Sequence, residues 1–463
     1  MYILLIIILG IFVYQIFFKK SASSEELFLD ESQQKALDLM ENTKSNILLT
    51  GRAGTGKSEV LKRLRDRKVK RIVVLAYTGV AALNIKGQTI HSFFGFPVGV
   101  TPNTVPERED KTLYENIDAI VIDEISMVRA DLLDCIDIFL RKNGPNIELP
   151  FGGIQIIFIG DLFQLEPIVK RPEETPIFNG NPYITPFFFS SKVFEKGFDF
   201  KHIELTNIHR QDKEKQKHFI EILNAIREAV HNDEHLKLIN ERYERLFDES
   251  KENSAIHMVT TNEMAKAFNE RKLQQLRTEE FSFRAEIVGG WNEKDYPTEE
   301  PLKIKVGAQI MLLNNDPERR WVNGDIGKIL KIKKKNGTID LIEIKVVGSP
   351  RSKDYVGKYK WNRGHYISSQ ETGELTYENN GETFTQYPMR LAWAFTIHKA
   401  QGKTFDEVVI NLGNGAWAHG QAYVALSRGR TLEKTTLRRP IQNTDIRIDS
   451  RVIEFMNSIK RCS

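Results

Sequence analysis

The chain has 463 residues, 41% of them apolar, with 66 Lys and Arg set against 62 Asp and Glu for a formal net charge of +4. That length and apolar content exclude a disordered tail or one small domain and predict two or three domains with substantial cores. The near-balanced charge excludes nucleic-acid binding by bulk basicity, so any such contact must be local. Two cysteines, Cys135 and Cys462, exclude a disulfide framework and a cysteine-built metal site, as suits a reducing compartment.

Met1–Phe18 reads MYILLIIILGIFVYQIFF. As a helix it would span ~27 Å, close to the ~30 Å hydrocarbon core. Lys19 and Lys20 follow, which by the positive-inside rule puts the rest of the chain in the cytoplasm. A cleaved signal peptide would want basic residues ahead of the apolar run, and none are there. The segment is therefore expected to be a transmembrane anchor, residues 1–20.

After a polar linker, LFLDESQQKALDLM predicts a helix in which Asp30 caps and Gln33 answers it three residues on. Gln33 also stands where a glutamine can read an adenine just ahead of a phosphate loop; chemistry alone leaves both roles open. SNILLT is a short apolar strand, and Gly51–Ser58 follows as GRAGTGKS, matching G-x-x-x-x-G-K-[ST]. A loop between strand and helix aims backbone N–H groups and the positive helix end at one point. Gly51, Gly54, Thr55, Gly56, Lys57 and Ser58 are thus the expected nucleotide-binding set. Lys57 can reach the β- and γ-phosphates and the Ser58 hydroxyl can ligate Mg²⁺.

RIVVLA is a second buried strand, leading into YTGVAALNIKGQTIHSFFGF. Thr78, Gly79, His91, Ser92, Phe93 and Phe94 could hold phosphates and stack bases, though a loop with core phenylalanines is the simpler reading. AIVIDEISM is a third strand ending in Asp123 and Glu124, which can hold Mg²⁺ and orient an attacking water. IQIIFIGDLFQLEP is a fourth, ending in Gly160, Asp161 and Gln164. Polar clusters at the carboxyl ends of alternating strands predict a parallel α/β sheet with its ligand there.

A second α/β set is expected from Lys201. HIELTNIHRQ ends on Arg210; a charged helical stretch, the strand IHMVTT and the helix NEMAKAFNERKLQQL follow. From Gly327 to Gln386 the pattern alternates, with turns expected at Asn336-Gly337 and Asn380-Gly381, so a small all-β module is inserted there. Its Lys, Tyr and Trp361 suit a polyanion surface. LAWAFTIHKAQGKTF then groups Thr396, His398, Lys399, Gln401 and Gly402 beside a strand, and AYVALSRGR carries Arg428. Beside a phosphate loop, Arg210 and Arg428 could serve as arginine fingers in cis, which contribute ~10³–10⁵ in rate where a γ-phosphate is cleaved.

Together these stretches resemble the Pif-type (petite integration frequency) DNA helicases, superfamily-one motors that run 5′ to 3′ on single-stranded DNA. The resemblance spans Leu29 to Arg430 through LDESQ, GRAGTGKS, YTGVAALNIKGQTIHSFFG, DEISM, the PFGG segment, GDLFQLEP, LAWAFTIHKAQGKTF and AYVALSRGR. It implies two RecA-like P-loop domains, residues 21–200 (with a short insertion near 95–115) and residues 201–326 with 387–463, and an SH3-like β-module at 327–386. It implies ATP and Mg²⁺ in the cleft: Gln33 reading adenine, Ser58 and Asp123 on the metal, and Lys57, Glu124, Gln164, Arg210 and Arg428 in hydrolysis. Thr78, Gly79, His91, Phe93, Thr396, His398 and Lys399 are the implied contacts to single-stranded or tailed duplex DNA, in repair, recombination or genome maintenance. RecD-type helicases share some stretches, but the DEISM spelling and PFGG argue for the Pif type. Glu166-Pro167 departs from the family's paired prolines, and Met1–Phe18 is no part of its motor. A RecD-like subunit of a nuclease complex and a membrane-tethered ATPase switch remain the alternatives.

Overall fold

In the computed structural model the described residues are 29–461, apart from 98, 170–173, 179, 181, 209–215, 245–254, 336–337 and 370–371. Helix α1 (Glu31–Asn42) leads into β1 (Ile47–Gly51), whose end passes through the phosphate loop to α2 (Lys57–Arg67). Strands β2 (Ile72–Ala76), β3 (Gln88–Thr89) and β4 (Ala119–Asp123), helix α3 (Ala130–Asn143), and strands β5 (Gln155–Gly160) and β6 (Lys201–Leu205) complete the first lobe. Its sheet is parallel throughout in the order β3-β2-β4-β5-β1-β6. The apolar runs read from the sequence are buried on both faces, as a sheet sandwiched by helices requires. The 95–115 insertion folds back on this lobe and buries Phe96, Val105 and Tyr114 in its core.

The expected boundary at residue 200 moves. Lys201–Leu205 pairs in parallel with β1, so the first lobe extends at least to Leu205. HIEL has the texture of any strand; which sheet it joins depends on lateral pairing, and composition does not record that.

The second lobe begins its helices with α4 (Lys217–Arg227). Its sheet is parallel in the order β18-β7-β19-β20, built from β7 (Ile256–Val259) and, far downstream, β18 (Ala394–Thr396), β19 (Val408–Asn411) and β20 (Thr435–Leu437). Helix α5 (Asn262–Gln275) follows β7, and α6 (Gln421–Leu426) follows β19.

The inserted β-region is wider than 327–386. Strands β12 (Ile326–Lys335), β13 (Thr338–Val346) and β14 (Asp354–Val356) join β11 (Gln309–Leu312) and β17 (Met389–Leu391) in one antiparallel sheet. Beside it, β15 (Tyr359–Ser368) and β16 (Leu375–Gln386) form a long hairpin that also pairs β9 (Glu286–Val288), and β8 (Glu280–Phe283) pairs antiparallel with β10 (Leu302–Lys305). Asn380-Gly381 is not a turn. β16 runs straight through it, and the register against β15 shifts between Asn362 and Gly364. An Asn-Gly pair supplies the positive φ that a bulge needs as readily as the one a turn needs, and Gly381 has φ 84°.

The membrane anchor is corrected. No helix among the described residues is long and apolar enough to cross a membrane, and Met1–Phe18 lies outside the described residues.

Candidate active site and nucleic-acid face

The phosphate loop is shaped by its glycines. Gly54 and Gly56 hold φ 85° and 86°, which other residues reach only with strain. A Cβ on Gly51 would sit 2.5 Å from Thr55 Oγ1 and 2.9 Å from the Leu205 carbonyl. Thr55 is buried and its hydroxyl donates to the Arg52 carbonyl at 3.0 Å. Lys57 Nζ donates to the carbonyls of Gly51 (2.6 Å) and Arg52 (3.1 Å). Loss of surrounding water lowers its pKa, opposed by Asp161, Glu124 and Asp123. Ser58 is exposed in the first turn of α2. Gln33 combines capping with a tie to the loop: Oε1 accepts from Asp30 N at 3.0 Å, while Nε2 donates to the Thr55 carbonyl at 3.0 Å.

The carboxylates gather opposite Lys57, since parallel strands end side by side. Asp123 closes β4 and accepts from the Glu124 amide at 2.9 Å. Burial and the neighbouring Glu124 push its pKa up to about 7. Burial also raises Glu124, against the pull of Lys57 and Arg428. Glu124 sits at φ 50°, a left-handed conformation sparsely populated by non-glycine residues, and Gln401 Nε2 of the second lobe donates to its Oε2 at 3.2 Å. Asp161, fully buried just past β5, takes Gln164 Nε2 on Oδ2 at 3.2 Å.

From the second lobe, Arg428 is 1% exposed. Its guanidinium donates to the carbonyls of Val424, Lys403 and Ala400 and to Ser427 Oγ at 2.8–3.4 Å. Arg210 lies outside the described residues. Sequence reasoning missed Arg227 and Tyr423. Arg227 ends α4, is 1% exposed, and reaches Asp161 Oδ1 through Nε (3.2 Å) and Nη2 (2.9 Å). Tyr423 Oη donates to Asp161 Oδ2 at 3.3 Å. The signal for Arg227 was legible: it lies four residues after Leu223, on the stripe of Phe219, Ile222, Leu223 and Ile226 that packs into the lobe. A charge on an apolar stripe calls for a buried partner.

The expected nucleic-acid residues divide. Thr78 is exposed and caps the short helix Gly79–Asn84, accepting from Ala81 N at 3.2 Å; Gly79 is half-buried beside Asp295. His91 is half-buried, and burial with Arg129 nearby lowers its pKa, favouring the neutral imidazole. In the second lobe Thr396 is buried at the end of β18, its hydroxyl taking the Lys399 amide at 3.3 Å; Lys399 is exposed. His398, its pKa lowered by burial, lies nearly parallel to the exposed ring of Trp417 at 6.0 Å. Phe93 is corrected. Its ring is 5% exposed and packs on Phe94, Tyr114 and Tyr366, leaving no face for a base.

The profile of a family described as PIF1-like helicase matches residues 28–237. The chain is 30% identical over 419 residues to the ATP-dependent DNA helicase Pif1 of Bdellovibrio bacteriovorus, covering 88% of this chain and 87% of that one. The crystal structure of Bacteroides sp. Pif1 in complex with ADP-AlF4 superposes with a TM-score of 0.83 at 34% identity, over 94% of this chain and 98% of that one. Bacteroides Pif1 bound to ssDNA covers the same shares at 35% identity with a TM-score of 0.68.

Proposed function

This chain belongs to the PIF1-like helicase family, and from that premise we propose that its two lobes form a motor that steps 5′ to 3′ along single-stranded DNA. It is an enzyme, an ATP-dependent DNA helicase. The observation that carries the mechanistic reading is the meeting of Lys57, Asp123, Glu124 and Gln164 of one lobe with groups of the other in a single cleft.

Lys57 and the loop amides bind the phosphates, and Glu124 holds the proton-accepting position for an attacking water. Gln164 lies where it can sense the γ-phosphate. Arg428, within electrostatic reach of Glu124, acts from the second lobe, with Arg210 as the second finger. Gln33 reads the adenine; its remaining N–H is the donor for that contact. Ser58 and Asp123 would hold Mg²⁺: one hydroxyl and one carboxylate suit an ion that keeps most of its waters and otherwise binds phosphate oxygens. When bound, it neutralises charge on the phosphates.

Thr78, Gly79, His91, His398 and Lys399 form the track for single-stranded DNA, with the buried Thr396 holding the turn that presents His398 and Lys399. They offer backbone-type and stacking contacts and no array for base edges, so binding should be salt-sensitive and tolerant of sequence. The deciding assay compares duplexes with 5′ and 3′ single-stranded tails in the presence of ATP and magnesium. Purified chain should unwind only the 5′-tailed substrate, unaided, and Lys57→Ala should lose hydrolysis while retaining DNA. Unwinding of the 3′-tailed duplex alone would reverse the polarity, and no unwinding without a partner would favour a RecD-like subunit.

A further inference from the structure

Beside the phosphate loop a buried carboxylate of the first lobe is held by groups of the second. Asp161 of the first lobe accepts Arg227 Nε and Nη2 on Oδ1, and Gln164 Nε2 and Tyr423 Oη on Oδ2. Arg227 ends a second-lobe helix whose apolar stripe packs in that lobe's core, and Tyr423 is a member of the same core. The two charged side chains are 1% and 0% exposed, and the guanidinium lies 4.2 Å from the centre of the Phe163 ring, two residues from Asp161. The same helix end touches the phosphate loop. Glu228 Oε1 takes Arg227 Nη1 at 3.1 Å and Arg52 Nη2 at 3.3 Å, while Tyr423 Oη receives the Ala53 amide at 3.5 Å.

From this we infer that Arg227 is a positioning residue that transmits the placement of the second lobe, through the Asp161 carboxylate, to the side-chain amide of Gln164. A buried ion pair gains little net stability, because desolvation offsets much of the attraction, but it fixes geometry tightly. Here the geometry fixed is that of the Gln164 side-chain amide. Any shift of α4 against the first lobe pulls on the carboxylate that also holds Gln164. Lobe closure and the orientation of Gln164 are thereby one event. Burial opposes the charged form of Asp161, yet Arg227 and Lys57 hold its pKa below the usual carboxylate range, so the link is ionised at neutral pH.

The inference rests on reading the cleft as the site of ATP hydrolysis, and the test separates the two. Full-length wild type, Arg227→Gln, Tyr423→Phe and the double variant Arg227→Gln/Asp161→Asn are compared for kcat and KM of DNA-stimulated hydrolysis, affinity for a fluorescent ATP analogue, and Tm. Arg227→Gln should lower kcat roughly tenfold or more with analogue affinity within about threefold, and the double variant should be no slower than the single one. Tyr423→Phe removes one donor and little volume; it should lower kcat by about two- to fivefold and carries the test if Arg227→Gln does not fold. Wild-type kcat in both variants would overturn the inference, as would a parallel fall of kcat, analogue affinity and Tm, which would make the pair merely structural. If the wild type itself shows no DNA-stimulated hydrolysis, the reading of the cleft fails instead.

Discussion

Asp123 closes a buried strand with a second carboxylate as its chain neighbour, and that adjacency controls its chemistry. Burial and Glu124 disfavour the charged form, so its proton is held up to about 7. The carboxylate is present above that value and lost as pH falls through it. A divalent cation needs the carboxylate, so proton and metal compete. The magnesium concentration for half-maximal hydrolysis should therefore rise about tenfold between pH 8 and pH 6. Asp123→Asn should bind magnesium weakly at every pH and flatten that dependence. A wild-type requirement that does not change over this range would remove Asp123 from the metal site.

At the scale of elements, α6 shows how a helix start can set the distance between lobes. Gly420 precedes it at φ 67°. A Cβ there would lie 2.4 Å from the Phe163 carbonyl oxygen and 2.5 Å from that of Gln164, backbone atoms of the opposite lobe. Gly420→Ala must therefore strain the left-handed conformation, at about 1–2 kcal/mol, and push α6 away from the Gln164 segment. We expect the variant to keep its secondary structure by circular dichroism and to lose most of its DNA-stimulated ATPase. Full turnover in Gly420→Ala would show that this close approach is not required. The glycine is plain in the sequence; its reason is not, because the atoms it makes room for lie more than 250 residues away.

Across the whole molecule, the β15–β16 hairpin grips the first lobe. Tyr366 accepts from the Val74 amide at 3.0 Å and donates its own amide to Gln88 Oε1 at 3.2 Å; Tyr377 Oη reaches the Gly87 carbonyl at 3.4 Å, and Arg71 the Gly373 carbonyl at 3.3 Å. Tyr366 packs into the first lobe's core against Phe93. The whole chain superposes better on Bacteroides Pif1 without DNA, unliganded or with a nucleotide analogue, than on its ssDNA complex. If DNA binding rearranges the lobes, part of its free energy goes into breaking this grip. Tyr366→Ala should then bind a short labelled oligonucleotide about 5- to 30-fold more tightly, a gain of roughly 1–2 kcal/mol, read by fluorescence anisotropy. Unchanged or weaker binding would show that the grip survives in the DNA complex.

Local patterns in the chain decide much of this protein. The phosphate loop, the four buried strands of the first lobe and the acids at their ends follow from short-range rules: apolar runs become central strands, and glycines mark the loop between strand and helix. Gln33 shows the same legibility, since its capping role is written within four residues of chain. What lay beyond reach depends on which surfaces meet. Phe93 and Trp417 are both aromatics two residues from a histidine, yet one is core and the other exposed, because tertiary contacts with Tyr114 and Tyr366 cover Phe93. The lateral place of Lys201–Leu205 and the pairing of Arg227 with Asp161 have one physical cause. Each is settled by atoms far off in the chain, where folding brings together groups that periodicity and motif describe only one at a time.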